Sequence, residues 1–135
     1  FFKIKKNYPP FEEFSMINPV IISEIIYNIC IDCKISFKFP NDILLNNKKV
    51  CGILQEVITV DNKSFLLIGV GINIISNPKI SKEYEATNIL TETREKPSIK
   101  KIVHMLIESY EKFFYQLKQY KFIKYRSKVE LMSMN

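Results

Sequence analysis

Two apolar-rich runs, "KKVCGILQEVITV" and "SFLLIGVGINII", constrain this chain more than any other feature. Each reads as a strand, and Asp61-Asn62-Lys63 between them is turn chemistry. Together they predict a long antiparallel hairpin, and every other segment has to be arranged around it.

The flanking segments supply the remaining elements. "FFKIKK" alternates, with Phe2 and Ile4 on one side and Lys3 and Lys5 on the other. In "NPVIISEIIYNIC", Asn18 reads as a cap, Pro19 as the first helical position, and Val20, Ile21, Glu24, Ile25 and Ile29 fall at helical spacing. "ISFKF" and "DILLN" read as short strands, the first stopped by Pro40, with Asn46-Asn47 as a tight turn. The polar stretch 76–98 has the length of a lid or binding loop. Ser98 caps an amphipathic helix predicted from Ile99 to about Phe122, and "FIKYRSKVELM" is weakly helical. The order β-α-β-β-β-β-α predicts an α+β fold, a largely antiparallel mixed sheet packed by helices.

A chain of 135 residues with 47% hydrophobic content suits one globular domain. No apolar run approaches the ~18 residues of a membrane span, and "FFKIKKNYPP" lacks the pattern of a signal peptide. The formal charge of +6 fits an anionic partner or a Lys-rich surface. The lysines are spread along the chain, which favours a surface, and no nucleic-acid recognition helix stands out. Cys30-Ile-Asp-Cys33 closes a helix rather than opening one, so it reads as a buried thiol pair, not a redox motif. Three cysteines do not make a disulfide framework, and a reducing, cytoplasmic setting is expected.

Two stretches carry chemistry. In "LLIGVGINI", Leu66, Ile68, Val70, Ile72 and Ile74 share a core face, and Leu67, Gly69, Gly71, Asn73 and Ile75 share the other. Side-chain-free positions on a strand mark a close approach, by a flat ligand or by a bulge or packed helix. The segment is not a dinucleotide fingerprint, since it runs on as strand. In "KFPNDILLNNKKVCGIL", alternation puts Lys49, Cys51 and Ile53 on one face, with Gly52 beside them. Lys49 taken alone reads as an edge-strand guard, and Asn41-Asp42 as an Asx-type turn. Taken together, an amide, a carboxylate, an ammonium and a glycine-lined floor make a small-ligand site.

Lys38-Phe39-Pro40-Asn41-Asp42-Ile43, Lys49-Val50-Cys51-Gly52-Ile53-Leu54 and Gly69-Val70-Gly71-Ile72-Asn73 resemble, in order and spacing, the catalytic domain of biotin–protein ligases. Ala86-Thr87-Asn88-Ile89-Leu90 is similar as well, and Phe39 stands where the family has Trp. The resemblance implies the class II aminoacyl-tRNA synthetase-like biotin/lipoate ligase fold. It implies a two-step reaction: biotin and ATP with Mg2+ give biotinyl-adenylate, and a lysine of a biotin carboxyl-carrier domain then takes the biotin. By the same resemblance Lys49 contacts both the biotin carboxylate and the α-phosphate, and Asp42 serves the incoming amine with Asn41 beside it. Gly52, Ile53, Leu54, Gly69, Val70 and Gly71 would line the biotin slot with Lys49, and Asn73 and Lys38 would meet the nucleotide. No protein side chain is assigned to a metal. The family's arginine-rich loop and small C-terminal β-domain fall outside residues 1–135, so a partial catalytic domain is expected, with a homodimer through the sheet, no nucleic acid and no membrane. A lipoate or octanoate transferase relative and an inactive biotin-binding remnant are the alternatives.

Overall fold

The computed structural model describes residues 1–79 and 85–133. Its centre is the expected hairpin, β4 (Lys48–Val60) and β5 (Lys63–Ile72), turned by Asp61 and Asn62 at φ 51° and 61°. β3 (Asp42–Leu45) joins β4 through Asn46 and Asn47, also at positive φ, and β2 (Ile35–Lys38) lies beyond it. Short polar side chains tolerate this left-handed backbone, which is why both tight turns carry Asn or Asp. β1 (Phe2–Lys3) pairs with β5, giving a five-stranded antiparallel sheet in the order β1-β5-β4-β3-β2.

One face of the sheet is covered by α1 (Phe14–Ile29). Ten of its sixteen residues are buried, so it is apolar nearly all round. Val20, Ile22 and Ile26 pack with Phe37, Ile43, Cys51 and Ile53 of the sheet. Phe14, Ile17, Ile21 and Ile25 meet Leu66 and two of the buried residues of α3 (Ile99–Tyr115), Tyr110 and Phe113. α2 (Ile89–Thr93) is a short helix capped by Asn88, and α4 (Phe122–Ser133) folds back against α1 and β2.

Three expectations are corrected. α1 begins at Phe14, because burying Phe14 and Ile17 extends the helix upstream of Asn18. Asn18 is therefore not a cap. It is fully buried, donates to Gln55 Oε1 (2.8 Å) and accepts from the Tyr110 hydroxyl (2.8 Å), tying α1 to β4 and α3. Pro19 sits inside the helix, where the missing N–H is outweighed by apolar burial on both sides. The predicted helix 99–122 also divides at Tyr115. The turn after it lets Tyr120 pack on Phe113 and Tyr125 and donate to Glu13 Oε1 at 2.6 Å. Of the expected apolar face of α3, Val103 and Ile107 remain exposed. Ser98 does cap this helix, accepting from the Lys101 amide. No helix among the described residues is long and apolar enough to cross a membrane.

Candidate active site

Strand register places four of the expected site residues in one row. Lys38 faces Asp42, Asp42 faces Gly52, and Gly52 faces Gly71. Cross-strand partners share a sheet face, so this row lies opposite α1, whose side is taken by Ile43, Cys51 and Ile53.

Lys49 reaches the same face through an irregularity. Ile43 pairs with Cys51 but Leu44 pairs with Lys49, leaving Val50 as an extra residue on β4. Val50 and Cys51 are both buried in the core, so the alternation slips by one and Lys49 emerges beside Gly52. Its ammonium lies 2.9 Å from Asp42 Oδ1, with the two side chains 25% and 19% exposed. The expectation that Lys49, Cys51 and Ile53 project together is thus overturned. Cys51 and Ile53 face the core, and so does Val70, which packs against the same cluster. Ile53 and Val70 can offer a ligand only their backbone, whereas Leu54 stands on the site face and is half exposed.

The glycines are explained by space. None has positive φ, so none is required by backbone conformation. A Cβ at Gly52 would stand 3.7 Å from Lys49 Nζ and 3.9 Å from Asp42 Oδ1, and one at Gly71 would meet only the Gly52 carbonyl at 3.9 Å. These are ordinary contacts, so close packing does not demand glycine either. At Gly69 the neighbour is Leu54 Cβ at 3.4 Å, which makes Leu54 a wall over that position. A floor without side chains beside an ion pair is what remains, and it favours a flat ligand over the bulge and packed-helix alternatives.

The ends of the site are held by backbone. Asn41 is exposed, and its carbonyl accepts the Ile53 amide at 2.9 Å. Phe39 is 72% exposed, an aromatic surface outside the core. The Asn73 amide N–H donates to Val50 O at 2.8 Å, and its side chain donates to Thr87 O at 3.1 Å. Beyond the end of β5, Lys49 is bracketed by a returning segment. Its N–H donates to Glu85 O and its carbonyl accepts from the Thr87 N–H, both at 2.8 Å. Of the stretch read as a lid, 80–84 lies outside the described residues, and 85–87 serves as this extension of the sheet.

Two of the thiols, Cys30 and Cys51, are inert by environment. Burial pushes the Cys51 thiol up to about 12, with the Asp42 carboxylate adding to it and Lys49 opposing. Burial, then neighbouring Cys33, raises Cys30 to about 12 as well. Among the described residues no group of three or more His, Cys, Asp or Glu side chains could hold a metal ion.

Sequence reading missed the bulge and Glu92. The bulge left no distinct trace, since adjacent apolar pairs recur along β4 as Val50-Cys51, Ile53-Leu54 and Val57-Ile58. Glu92 left none, standing in a polar stretch among other Glu residues.

Residues 14–73 match the model of the biotin/lipoate A/B protein ligase family. The fold is that of biotin protein ligases of known structure. The apo biotin protein ligase from Aquifex aeolicus gives a TM-score of 0.76 at 23% identity, covering 98% of this chain and 58% of that one. The Aquifex aeolicus enzyme in complex with biotin and ATP gives 0.76 at 24% identity, covering 98% and 56%. The Leishmania major enzyme in complex with biotin gives 0.75 at 18% identity, covering 96% and 56%. The chain spans a little over half the length of these structures.

Proposed function

We propose, from a central segment that matches the biotin/lipoate A/B protein ligases and a fold shared with biotin protein ligases, that this chain supplies the adenylate-forming face of a biotin–protein ligase. The observation that carries the proposal is the Lys49–Asp42 ion pair over the Gly52–Gly71 floor.

Joining the biotin carboxylate to the α-phosphate of ATP brings two anions together. Lys49 is the cation that can stand between them, and in a partly dry site its charge counts for more than in water. The flat bicyclic ring of biotin lies on Gly52, Gly69 and Gly71, with Leu54 as its apolar wall. As Lys49 turns to the substrate anions, Asp42 loses its ion-pair partner. It can then accept the proton of the carrier lysine, whose amine must be neutral to attack the adenylate. Asn73 braces the nucleotide end of the site, and Lys38 and exposed Phe39 flank it. Mg2+ belongs with the ATP phosphates, which share its oxygen coordination with water. The acceptor in this reading is a lysine of a biotin carboxyl-carrier domain, and pairing through the sheet is part of the same proposal.

The test is biotin-dependent exchange of labelled pyrophosphate into ATP, with this chain carried in the complete catalytic domain. Exchange with biotin supports the reading. Exchange with lipoate in place of biotin would assign the chain to the lipoate branch, and none with either would mark a binding remnant.

A further inference from the structure

Glu92 is a largely buried carboxylate, its side chain 11% exposed, and the reaction outlined above does not use it. Its three partners come from two separate segments, 46–48 and Thr87. The Thr87 hydroxyl donates to Oε1, the Asn46 amide donates to Oε2 at 2.8 Å, and the Lys48 ammonium stands 3.8 Å from Oε1. Asn46 is in the β3–β4 turn, Lys48 opens β4, and Thr87 is in the segment that returns beside it. Lys49 lies between these anchor points, with its N–H on Glu85 O and its carbonyl on the Thr87 N–H. Asn46 is held in turn by Lys34 on the β2 side, through Oδ1 at 2.9 Å and its own N–H at 2.8 Å.

This arrangement joins the β3–β4 turn and the returning segment at one carboxylate, which also meets Lys48, the neighbour of the proposed catalytic lysine. A bulge such as that at Val50 bends its strand and re-aims the side chains beside it, so the backbone path there decides which face Lys49 emerges on. We infer that Glu92 is a positioning residue for Lys49: by clamping the β3–β4 turn to the 85–87 segment it fixes the bulged start of β4 so that the Lys49 ammonium meets Asp42 over Gly52. The inference rests on the proposed function only for its catalytic consequence.

The experiment reads Lys49 directly. Lysines of the full chain are reductively methylated with 13C, and the Lys49 signal is identified by its loss in Lys49→Arg. In wild type that signal is displaced from those of solvent lysines, and Asp42→Asn shifts it towards them. Glu92→Gln and Thr87→Val are each expected to shift it the same way, and Asp42→Asn is expected to add little in either background. A Lys49 signal at its wild-type position in both variants overturns the inference, and Thr87→Val decides alone if Glu92→Gln fails to fold. In the complete catalytic domain, Glu92→Gln is expected to lower the exchange kcat by about 10- to 100-fold, as for a misplaced catalytic group. Exchange absent from wild type would refute the proposed function and leave the spectroscopic result to decide this one.

Discussion

Asp42 and Lys49 are ion-paired at 2.9 Å although they are not register partners: Asp42 faces Gly52, three residues along β4. The contact exists because Val50 is an extra residue in the strand and turns Lys49 onto the glycine face. The pair is therefore built by the irregularity. In a regular strand Lys49 would have shared the face of Cys51 and Ile53, which is core.

If the glycine floor is there for a ligand, filling it should spare the fold and damage binding. Gly71→Val adds a good strand former where only the Gly52 carbonyl stands near, so the melting temperature should hold or rise. The KM for biotin should rise by about 10- to 100-fold, as overfilling a close-packed slot costs ~1–3 kcal/mol. Unchanged KM with unchanged stability would remove the slot from the account.

Asn18 stabilises the joint between α1, β4 and α3. Tyr110→Phe leaves the buried Asn18 oxygen without that donor and should cost about 1–3 kcal/mol in urea unfolding. Asn18→Ala should cost more, since both Gln55 and Tyr110 then lose a partner. The double variant should lose less than the sum of the two, because one network is broken twice. Strict additivity would show that the two groups act independently.

How much of this was legible follows from which signals are local. The hairpin, its Asp61-Asn62 turn, the Asn46-Asn47 turn and the core face of β5 were all readable, because period-2 alternation and positive-φ residues are set by near neighbours. The row Asp42–Gly52–Gly71 was readable only as a grouping, since register is a property of strand pairs. The face of Lys49 was misread because one bulge inverts alternation for everything before it. The start of α1 was misread because tertiary burial of Phe14 outweighed the cap and proline at Asn18-Pro19. Glu92 was invisible because two of its partners, Asn46 and Lys48, lie more than forty residues away in the β3–β4 turn.

The thiols offer a check on the core. Cys30 and Cys51 are buried with thiols pushed up to about 12, so both should resist iodoacetamide in the native state, while the less buried Cys33 reacts first. Peptide mapping by mass spectrometry after timed alkylation reads this. Early labelling of Cys51 would contradict the packing beneath the site.

Glu92 predicts a pH dependence. The Thr87 hydrogen bond, ahead of Asn46 and Lys48 and against burial, holds its carboxyl below the usual range. A depressed folded pKa means stability that is present above the unfolded value, about 4.3, and lost as pH falls through the folded one. Wild type should therefore exceed Glu92→Gln in unfolding free energy at pH 6, and the gap should shrink at pH 3. A gap that is constant or widens on acidification would contradict the assignment.

The most direct test of the central claim is pyrophosphate exchange in the complete catalytic domain with and without the Lys49 ammonium. Wild type should exchange only when biotin is present. Lys49→Ala should lower the rate by about 10²- to 10³-fold, the cost of losing one charge stabiliser from a transition state, while Asp42→Asn should chiefly slow transfer to the carrier. A Lys49→Ala enzyme that exchanges at the wild-type rate would contradict the account.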